Sequence, residues 1–293
     1  MRAFIKELPV AGGAAKSLAT AYREIRGKIL ARFFYLKNKK FLYSNRALEK
    51  TTEARRCFIL ATGPSIKTQD LSVLSGELCI SISNFFVHPD FKKIRPEFHV
   101  FAASHDPITD DQMVAWLKDA EAHFPDGQKV FLSVMDKYLV DKFELFKKQR
   151  VYYYHVNDAK KLQKHSHISL TEELPKIITI PQTALYIAIC LGVKEIYLLG
   201  VDHDWLLHIG QSKHFYEETQ SALVNKGYVE TVAKKETDLE KDFASSVKLW
   251  RQYRKIKEYA LANEIEIWNS TPNSLLDVFP RKSLENALHE KKS

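Results

Sequence analysis

The sequence predicts an α/β protein with a mostly parallel β-sheet covered by helices. After Arg56, short β-branched or aromatic runs alternate with helical patterns, as expected of parallel strands joined by crossover helices. Several of these runs are apolar almost throughout, as strands buried on both faces are. The chain has 293 residues, 45% of them hydrophobic and 27% charged, so it is long enough and apolar enough to bury a core.

The first predicted element is a helix in a basic extension, residues 1–56. Apolar residues recur in steps of three and four between Lys16 and Leu36, which places them on one stripe of a helix. The extension contains 14 Lys+Arg and 4 Asp+Glu, a net charge of +10, whereas the rest of the chain contains 30 Lys+Arg and 32 Asp+Glu, a net charge of −2. We expect this basic amphipathic helix to lie on an anionic membrane surface; the alternative is packing on the protein's own core or on a second subunit, in a homo-oligomer. The stripe consists of Leu18, Tyr22, Ile25, Ile29, Phe33 and Leu36.

The predicted sheet domain spans residues 57–280. Within it, the polar stretch 202–238 has no strand pattern and is expected to form a lid of loops or helices, and residues 281–293 follow as a basic tail. The predicted strands are Cys57–Ala61, Leu78–Ser83, Phe98–Ala103, Lys129–Val134, Val151–Tyr154, Glu195–Leu199 and Glu264–Trp268. The predicted helices of this domain are Asp110–Phe124, Asp136–Lys147, Gln182–Leu191 and Leu239–Ala262.

Composition excludes several classes of protein. The excess of basic residues is confined to the extension, which argues against a nucleic-acid-binding fold. No apolar run approaches the roughly 20 residues that span a bilayer, and the N-terminus lacks the apolar core of a signal peptide, so we expect a cytoplasmic protein. The three cysteines, Cys57, Cys79 and Cys190, are scattered through apolar segments and predict neither a disulfide framework nor a cysteine-based zinc site.

Candidate site residues follow the predicted strands, because ligands of open parallel sheets bind at the carboxyl ends of the strands. After the first strand, Thr62, Gly63, Pro64 and Ser65 form a turn into a helix, where free peptide N–H groups suit a phosphate. An ordinary strand–helix turn is the alternative. The turn is neither a Walker loop nor a dinucleotide-binding fingerprint.

The second and third strands are followed by further polar groups. Asn84 is suited to hydrogen-bonding a base or a ribose, although Asn is also a common turn residue. Ser104 and His105 are expected beside the same crevice.

Acidic and histidine residues follow the sixth predicted strand. Asp202 and Asp204 form an Asp-x-Asp motif, which holds a divalent cation in many sugar-nucleotide enzymes, but with His203 the motif equally suits a capped turn. We do not expect zinc at His203, His208 and His214, because no further ligand cluster supports it. A histidine near a phosphate more often transfers a proton.

The segment Asn269–Leu276 follows the last predicted strand and is dense in hydrogen-bonding side chains. It includes Pro272, Asn273 and Ser274 at the edge of the sheet where ligands bind. The chain has no Gly-x-Ser-x-Gly elbow and no cysteine beside a plausible base, so acyl-transfer chemistry is not expected.

Four of these segments together resemble the bacterial sialyltransferases of the Campylobacter lipooligosaccharide type, over roughly residues 55–280. The third segment, with Thr183–Leu185 before it, is also similar to a family of flagellin-modifying and uncharacterised proteins related to a 6-hydroxymethylpterin pyrophosphokinase. The four segments are Ile59–Ser65, Ser81–Phe86, Ala188–Asp202 and Thr271–Leu276.

The resemblance to sialyltransferases implies a Rossmann-like, single-domain GT-A variant with a lid, which binds CMP-sialic acid without a metal. It also assigns roles by position. The residues implied to contact CMP are Gly63, Pro64, Ser65 and Asn84, with Pro272, Asn273 and Ser274 close to the nucleotide and His214 and Tyr216 beside the leaving phosphate.

The chain departs from that family at the catalytic histidine, which the family places late in the lid. No histidine lies between His214 and His289, so His214, Asp204 or Glu230 is expected to take the acid–base role, and other CMP-nonulosonates or CMP-Kdo become alternative donors. We therefore expect a glycosyltransferase that moves such a sugar from CMP to a cell-surface glycan or glycolipid, without cofactor or metal. The alternatives are a diphosphokinase-like transferase that holds Mg²⁺ through Asp202 and Asp204, and a nucleotide-binding protein without activity.

Overall fold

The computed structural model describes residues 13–52, 55–207, 214–215 and 238–289. The chain divides into two units, Met1–Lys40 and Phe41–Ser293. No helix among the described residues is both long enough and apolar enough to cross a membrane.

The second unit is built on a sheet of eight strands, counted over the residues that the structure describes. The strands lie in the order β6-β5-β4-β3-β2-β1-β7-β8, and every neighbouring pair is parallel. The predicted α/β class with a mostly parallel sheet is confirmed. The strands are β1 Arg56–Leu60, β2 Leu78–Ile82, β3 Phe98–Val100, β4 Lys129–Ser133, β5 Arg150–Asn157, β6 Glu173–Pro175, β7 Glu195–Leu199 and β8 Glu266–Asn269.

The helices begin where the sequence offers capping groups. Thr109 and Gln112 form a capping box at the start of the helix Asp110–His123. At the start of the helix Leu239–Ala262, Asp238 accepts a hydrogen bond from Lys241 N over 3.1 Å. The helices are α1 Gly13–Tyr43, α2 Phe91–Ile94, α3 Asp110–His123, α4 Lys137–Lys142, α5 Ile180–Cys190, α6 Leu239–Ala262 and α7 Leu284–His289.

The order of the strands places a topological switch point between β1 and β7. The sheet begins at β1 and extends strand by strand to β6. The chain then returns through α5, and β7 pairs with the other side of β1. Helix α5 is buried from Pro181 to Cys190 and packs on β1, β2 and β3. In open parallel sheets, the crevice at such a reversal is where ligands bind.

The observed elements match the predicted ones except at a few places. The helix predicted over Asp136–Lys147 ends at Lys142, because Glu144 and Phe146 adopt left-handed backbone with φ of 52° and 61°. Strand β6 and helix α2 were not predicted, and α7 lies in the segment predicted as a basic tail. Most of the predicted lid, at residues 208–213 and 216–237, lies outside the described residues.

Candidate functional site

The turn after β1 lies against the loop after β7, at the switch point. Gly63 N donates to Gly200 O over 2.8 Å, and Pro64 begins a short 3₁₀ helix. A Cβ atom on Gly63 would lie 1.7 Å from Asp202 Oδ2 and 2.5 Å from Gly200 O. The two strand ends therefore approach so closely that only glycine fits at position 63.

The carboxylate of Asp202 is held by Ser65. Ser65 N donates to Oδ1 over 3.1 Å and Ser65 Oγ donates to Oδ2 over 2.9 Å. Asp202 is only 7% exposed, and this burial raises the pKa of its carboxyl group, against the lowering effect of the Ser65 hydrogen bonds. The N–H group that the sequence suggested for a phosphate thus donates to the protein's own carboxylate.

The polar segment after β8 supports the loop after β7. Ser274 Oγ donates to Val201 O over 2.7 Å, and Thr271 Oγ1 accepts from Val201 N over 3.0 Å. Ser274 and Thr271 are buried, whereas Pro272 is half-buried and Asn273 is exposed. Of the three residues that the resemblance places near the nucleotide, Ser274 therefore hydrogen-bonds within the protein.

Asn84, at the end of β2, is buried and fixed by its neighbours. Its side-chain oxygen accepts a hydrogen bond from Trp116 Nε1. The preceding residue, Ser83, has left-handed backbone with φ of 52°, and His99 Nε2 donates to its carbonyl over 2.9 Å. Ser81 Oγ lies 2.8 Å from His99 Nδ1, and burial lowers the pKa of His99 to about 3, so the ring stays neutral.

Ser104, at the end of β3, repeats the arrangement of Ser65. Both its N–H and its hydroxyl donate to the carboxylate of Asp136, which follows β4 and is fully buried. Burial raises the pKa of this carboxyl group, and the bonds from Ser104 oppose the shift. Ser104 is thus also engaged within the protein.

His214 and Phe215, in the middle of the predicted lid, lie over the ends of β1 and β2. His214 Nδ1 is 3.2 Å from Thr62 Oγ1, and Phe215 N donates to Thr62 O over 2.9 Å. The Phe215 ring packs 6.1 Å from that of Phe85 and 5.1 Å from that of His88. The structure therefore places the His214 imidazole beside the turn at Thr62.

The first histidine of the lid has a structural role. His203 adopts φ of 50°, and its Nε2 lies 2.8 Å from the hydroxyl of Tyr253. Its ring packs against Trp205 and Trp250. Burial lowers the pKa of His203 to about 4, so it is neutral near pH 7.

Of the remaining candidate residues in the predicted lid, only Asp204 lies in the part of the chain that the structure describes. Asp204 is half-buried beside His203, whereas Tyr216, Glu230 and His208 lie outside the described residues. Over the described parts of the chain, no three His, Cys, Asp or Glu side chains are close enough together to hold a metal ion.

Solved structures of transferases resemble this chain. The monofunctional alpha-2,3-sialyltransferase Cst-I from Campylobacter jejuni matches with a TM-score of 0.46 and 18% identity, over 80% of this chain and 83% of its own. The MAf glycosyltransferase from Magnetospirillum magneticum AMB-1 matches with a TM-score of 0.43 and 16% identity, over 84% of this chain and 38% of its own. No family model matches the sequence, and neither does any curated protein.

The first turn of α5 carries two buried polar groups that the sequence analysis did not single out. Gln182 Oε1 accepts from Ile178 N over 2.7 Å, but Gln182 Nε2 and Thr183 Oγ1 have no hydrogen-bond partner in the described structure. Both residues are fully buried. Since α5 leads directly into β7, its first turn lies at the carboxyl edge of the sheet. The sequence predicts the start of a helix here, but only the structure shows that these two side-chain groups lack hydrogen-bond partners.

An apolar groove of about 410 Å³ lies between the loop after β7 and α6. Its walls are mostly aliphatic and aromatic, and an exposed guanidinium, that of Arg254, stands at its edge without an ion pair to any described residue. The lining residues are His203, Leu206, Phe243, Ser246, Val247, Trp250, Arg254 and Leu275.

Proposed function

We propose that the chain is a glycosyltransferase that moves sialic acid, a related nonulosonate or Kdo from a CMP-activated donor to a hydroxyl of a cell-surface glycan or glycolipid. The observation that supports this most is the convergence of the four resembling segments on one edge of the sheet. Ile59–Ser65 and Thr271–Leu276 both hydrogen-bond the loop that ends Ala188–Asp202, and Ser81–Phe86 begins at the end of β2, the strand beside β1. Segments spread over more than 200 residues of sequence thus meet at one edge of the sheet.

The donor of this reaction carries a phosphate and a carboxylate, and the first turn of α5 suits such an anion. A buried donor without a partner costs about 1–3 kcal/mol, which a bound anion would recover. Gln182 Nε2 and Thr183 Oγ1 are two such donors. In the proposed complex these groups bind the phosphate of the donor, which CMP also carries.

Asp202 is suited to the ribose rather than to the phosphate. A carboxylate accepts hydrogen bonds from hydroxyls and repels a neighbouring phosphate. Because Ser65 already donates its N–H and hydroxyl to Asp202, we assign Ser65 to holding this carboxylate and Asp202 to the ribose hydroxyls.

The transfer itself would be a direct displacement. The acceptor oxygen forms a bond to the anomeric carbon while the bond from that carbon to the CMP phosphate breaks, and the proton of the acceptor passes to a base. His214 is the favoured acid–base group, because its ring lies 3.2 Å from Thr62 at the switch point, and an imidazole titrates near neutral pH. Asp204 and Glu230 are the alternatives.

The groove along α6 suits the acceptor. Its apolar walls fit the lipid part of a glycolipid, and Arg254 at its edge fits an anionic group of the same molecule. His203 lines the groove and directly follows Asp202, so the acceptor would lie next to the donor.

A pair of matched Thr→Val variants tests the donor site. Thr183→Val removes a buried hydroxyl that has no partner, so it should leave the free energy of unfolding unchanged or higher while weakening CMP binding at least tenfold. Thr52→Val removes a buried hydroxyl that donates to Leu191 O over 2.9 Å, so it should lower stability by about 1 kcal/mol and leave CMP affinity unchanged. Calorimetric titration with CMP and urea unfolding measure both quantities.

A nucleotide screen decides between this function and the diphosphokinase alternative. CMP should raise the melting temperature with EDTA present, and ATP with Mg²⁺ should raise it less. A larger shift with ATP and Mg²⁺ would instead favour a metal held by Asp202 and Asp204.

For the transfer step, His214→Ala should lower kcat about 10²–10⁴-fold with little change in donor affinity. Normal turnover in that variant would assign the acid–base role to Asp204 or Glu230 instead.

A further inference from the structure

The whole net charge of the chain lies in its first unit. Met1–Lys40 contains ten of the 44 basic and two of the 36 acidic residues, a net charge of +8, which leaves 34 of each sign in the rest of the chain. The globular unit is therefore electrically neutral overall, and any long-range attraction to an anionic partner comes from the first unit.

Helix α1 in this unit exposes the apolar stripe. Five of its side chains, from Tyr22 to Leu36, are each more than half exposed. At 3.6 residues per turn they lie within an arc of about 80°, over a length of about 21 Å. Exposed basic side chains flank them, among them Arg26, Arg32 and Lys37. These five members of the stripe are Tyr22, Ile25, Ile29, Phe33 and Leu36.

We infer that α1 binds an anionic lipid surface, lying in the plane of the interface with the stripe in the acyl boundary. An exposed row of large apolar side chains needs a cover, and the charge identifies which one. A second copy of α1 would bring two highly cationic helices together, which repel each other, whereas an anionic bilayer covers the stripe and neutralises the cations at once. This inference does not depend on the proposed transferase activity.

Sedimentation with vesicles tests the inference on the full chain. Binding should be at least tenfold stronger to vesicles with 30% phosphatidylglycerol than to pure phosphatidylcholine, and should fall at least tenfold between 0.05 and 0.5 M NaCl, because salt screens exposed charges. Replacing Ile29 and Phe33 together by Gln should lower binding at least tenfold. Leu30→Gln is the matched control, since Leu30 is equally exposed but lies about 100° away from the centre of the stripe.

A second comparison isolates the charge. Replacing Arg32, Lys37 and Lys39 together by Gln should weaken binding to anionic vesicles at least tenfold, whereas the same change at three exposed basic residues of the globular unit should not. Equal binding to both vesicle types would overturn the inference. So would stripe variants that lose self-association in light scattering but still bind vesicles, because the stripe would then cover a second copy. The three control residues are Lys92, Lys93 and Lys255.

Discussion

Gly63→Ala should destabilise the protein by displacing the side chain of Asp202 and by crowding the carbonyl of Gly200. The backbone of Gly63, with φ of −65° and ψ of 153°, is accessible to alanine, so the cost is steric. The added methyl would lie 1.7 Å from Asp202 Oδ2 and 2.5 Å from Gly200 O, so the carboxylate must leave its two bonds to Ser65. Lost hydrogen bonds to a charged group and overpacking each cost about 1–3 kcal/mol, and partial relaxation leaves about 2–4 kcal/mol in total.

Urea unfolding of the variant measures this loss directly. Gly27→Ala is the control, because a Cβ atom there meets nothing within 4 Å and alanine should favour the helix by about 0.5–1 kcal/mol. Combining Gly63→Ala with Asp202→Ala should cost less than the sum of the two, by about 1 kcal/mol or more, since the double variant has no carboxylate to displace. A loss below about 0.5 kcal/mol for Gly63→Ala, or strict additivity, would refute the packing of Asp202 against this turn.

Three further predictions follow from contacts around the same edge of the sheet. The free energy of unfolding should fall as the pH drops below about 6.5, because burial holds the pKa of His203 at about 4 and that of His99 at about 3 while the unfolded chain binds protons. The fall should reach up to about 1.4 kcal/mol per pH unit for each histidine. His203→Gln should make this dependence on pH shallower in urea titrations, and an unchanged slope would contradict the assignment. Trp116→Phe removes the indole donor to Asn84 and should weaken CMP binding severalfold in calorimetry; unchanged affinity would mean that Asn84 needs no such support. Ser274→Ala should cost about 1–3 kcal/mol in urea unfolding, because its hydroxyl donates to the loop after β7, and a stability equal to the parent's would show that this bond is dispensable.

The fold could be predicted from sequence because its main signals are local. The runs at β1 and β7 are buried nearly throughout, and their apolar residues are consecutive, which is typical of strands covered on both faces. Strand β6, by contrast, has three residues, too few to show a period. The end of α4 was also not predicted, because Glu144 and Phe146 adopt left-handed backbone although neither is a glycine, the residue that usually indicates it.

The position of the candidate residues at the strand ends could be predicted, but the hydrogen bonds among them could not. The rule that ligands bind at strand ends singled out Ser65, Asn84 and Asp202 as candidates. Nothing local reveals that Ser65 bonds a residue 137 positions away. For the same reason, the missing partners of Gln182 and Thr183 were invisible in the sequence: a hydroxyl is unsatisfied only with respect to the atoms that surround it in space.

The hydrogen bonds around Asp202 set the order in which this edge of the sheet can form during synthesis. The turn at Gly63 is made early, but it closes on a carboxylate that emerges well over a hundred residues later, and that loop is in turn held by Ser274. Chains are synthesised from the N-terminus at about 5–20 residues per second. A nascent chain that has released β1 to β6 therefore still lacks Asp202 and Ser274, and Ser65 stays without its carboxylate partner for several seconds or more. We expect this edge of the sheet to be completed only after residues 271–276 have left the ribosome.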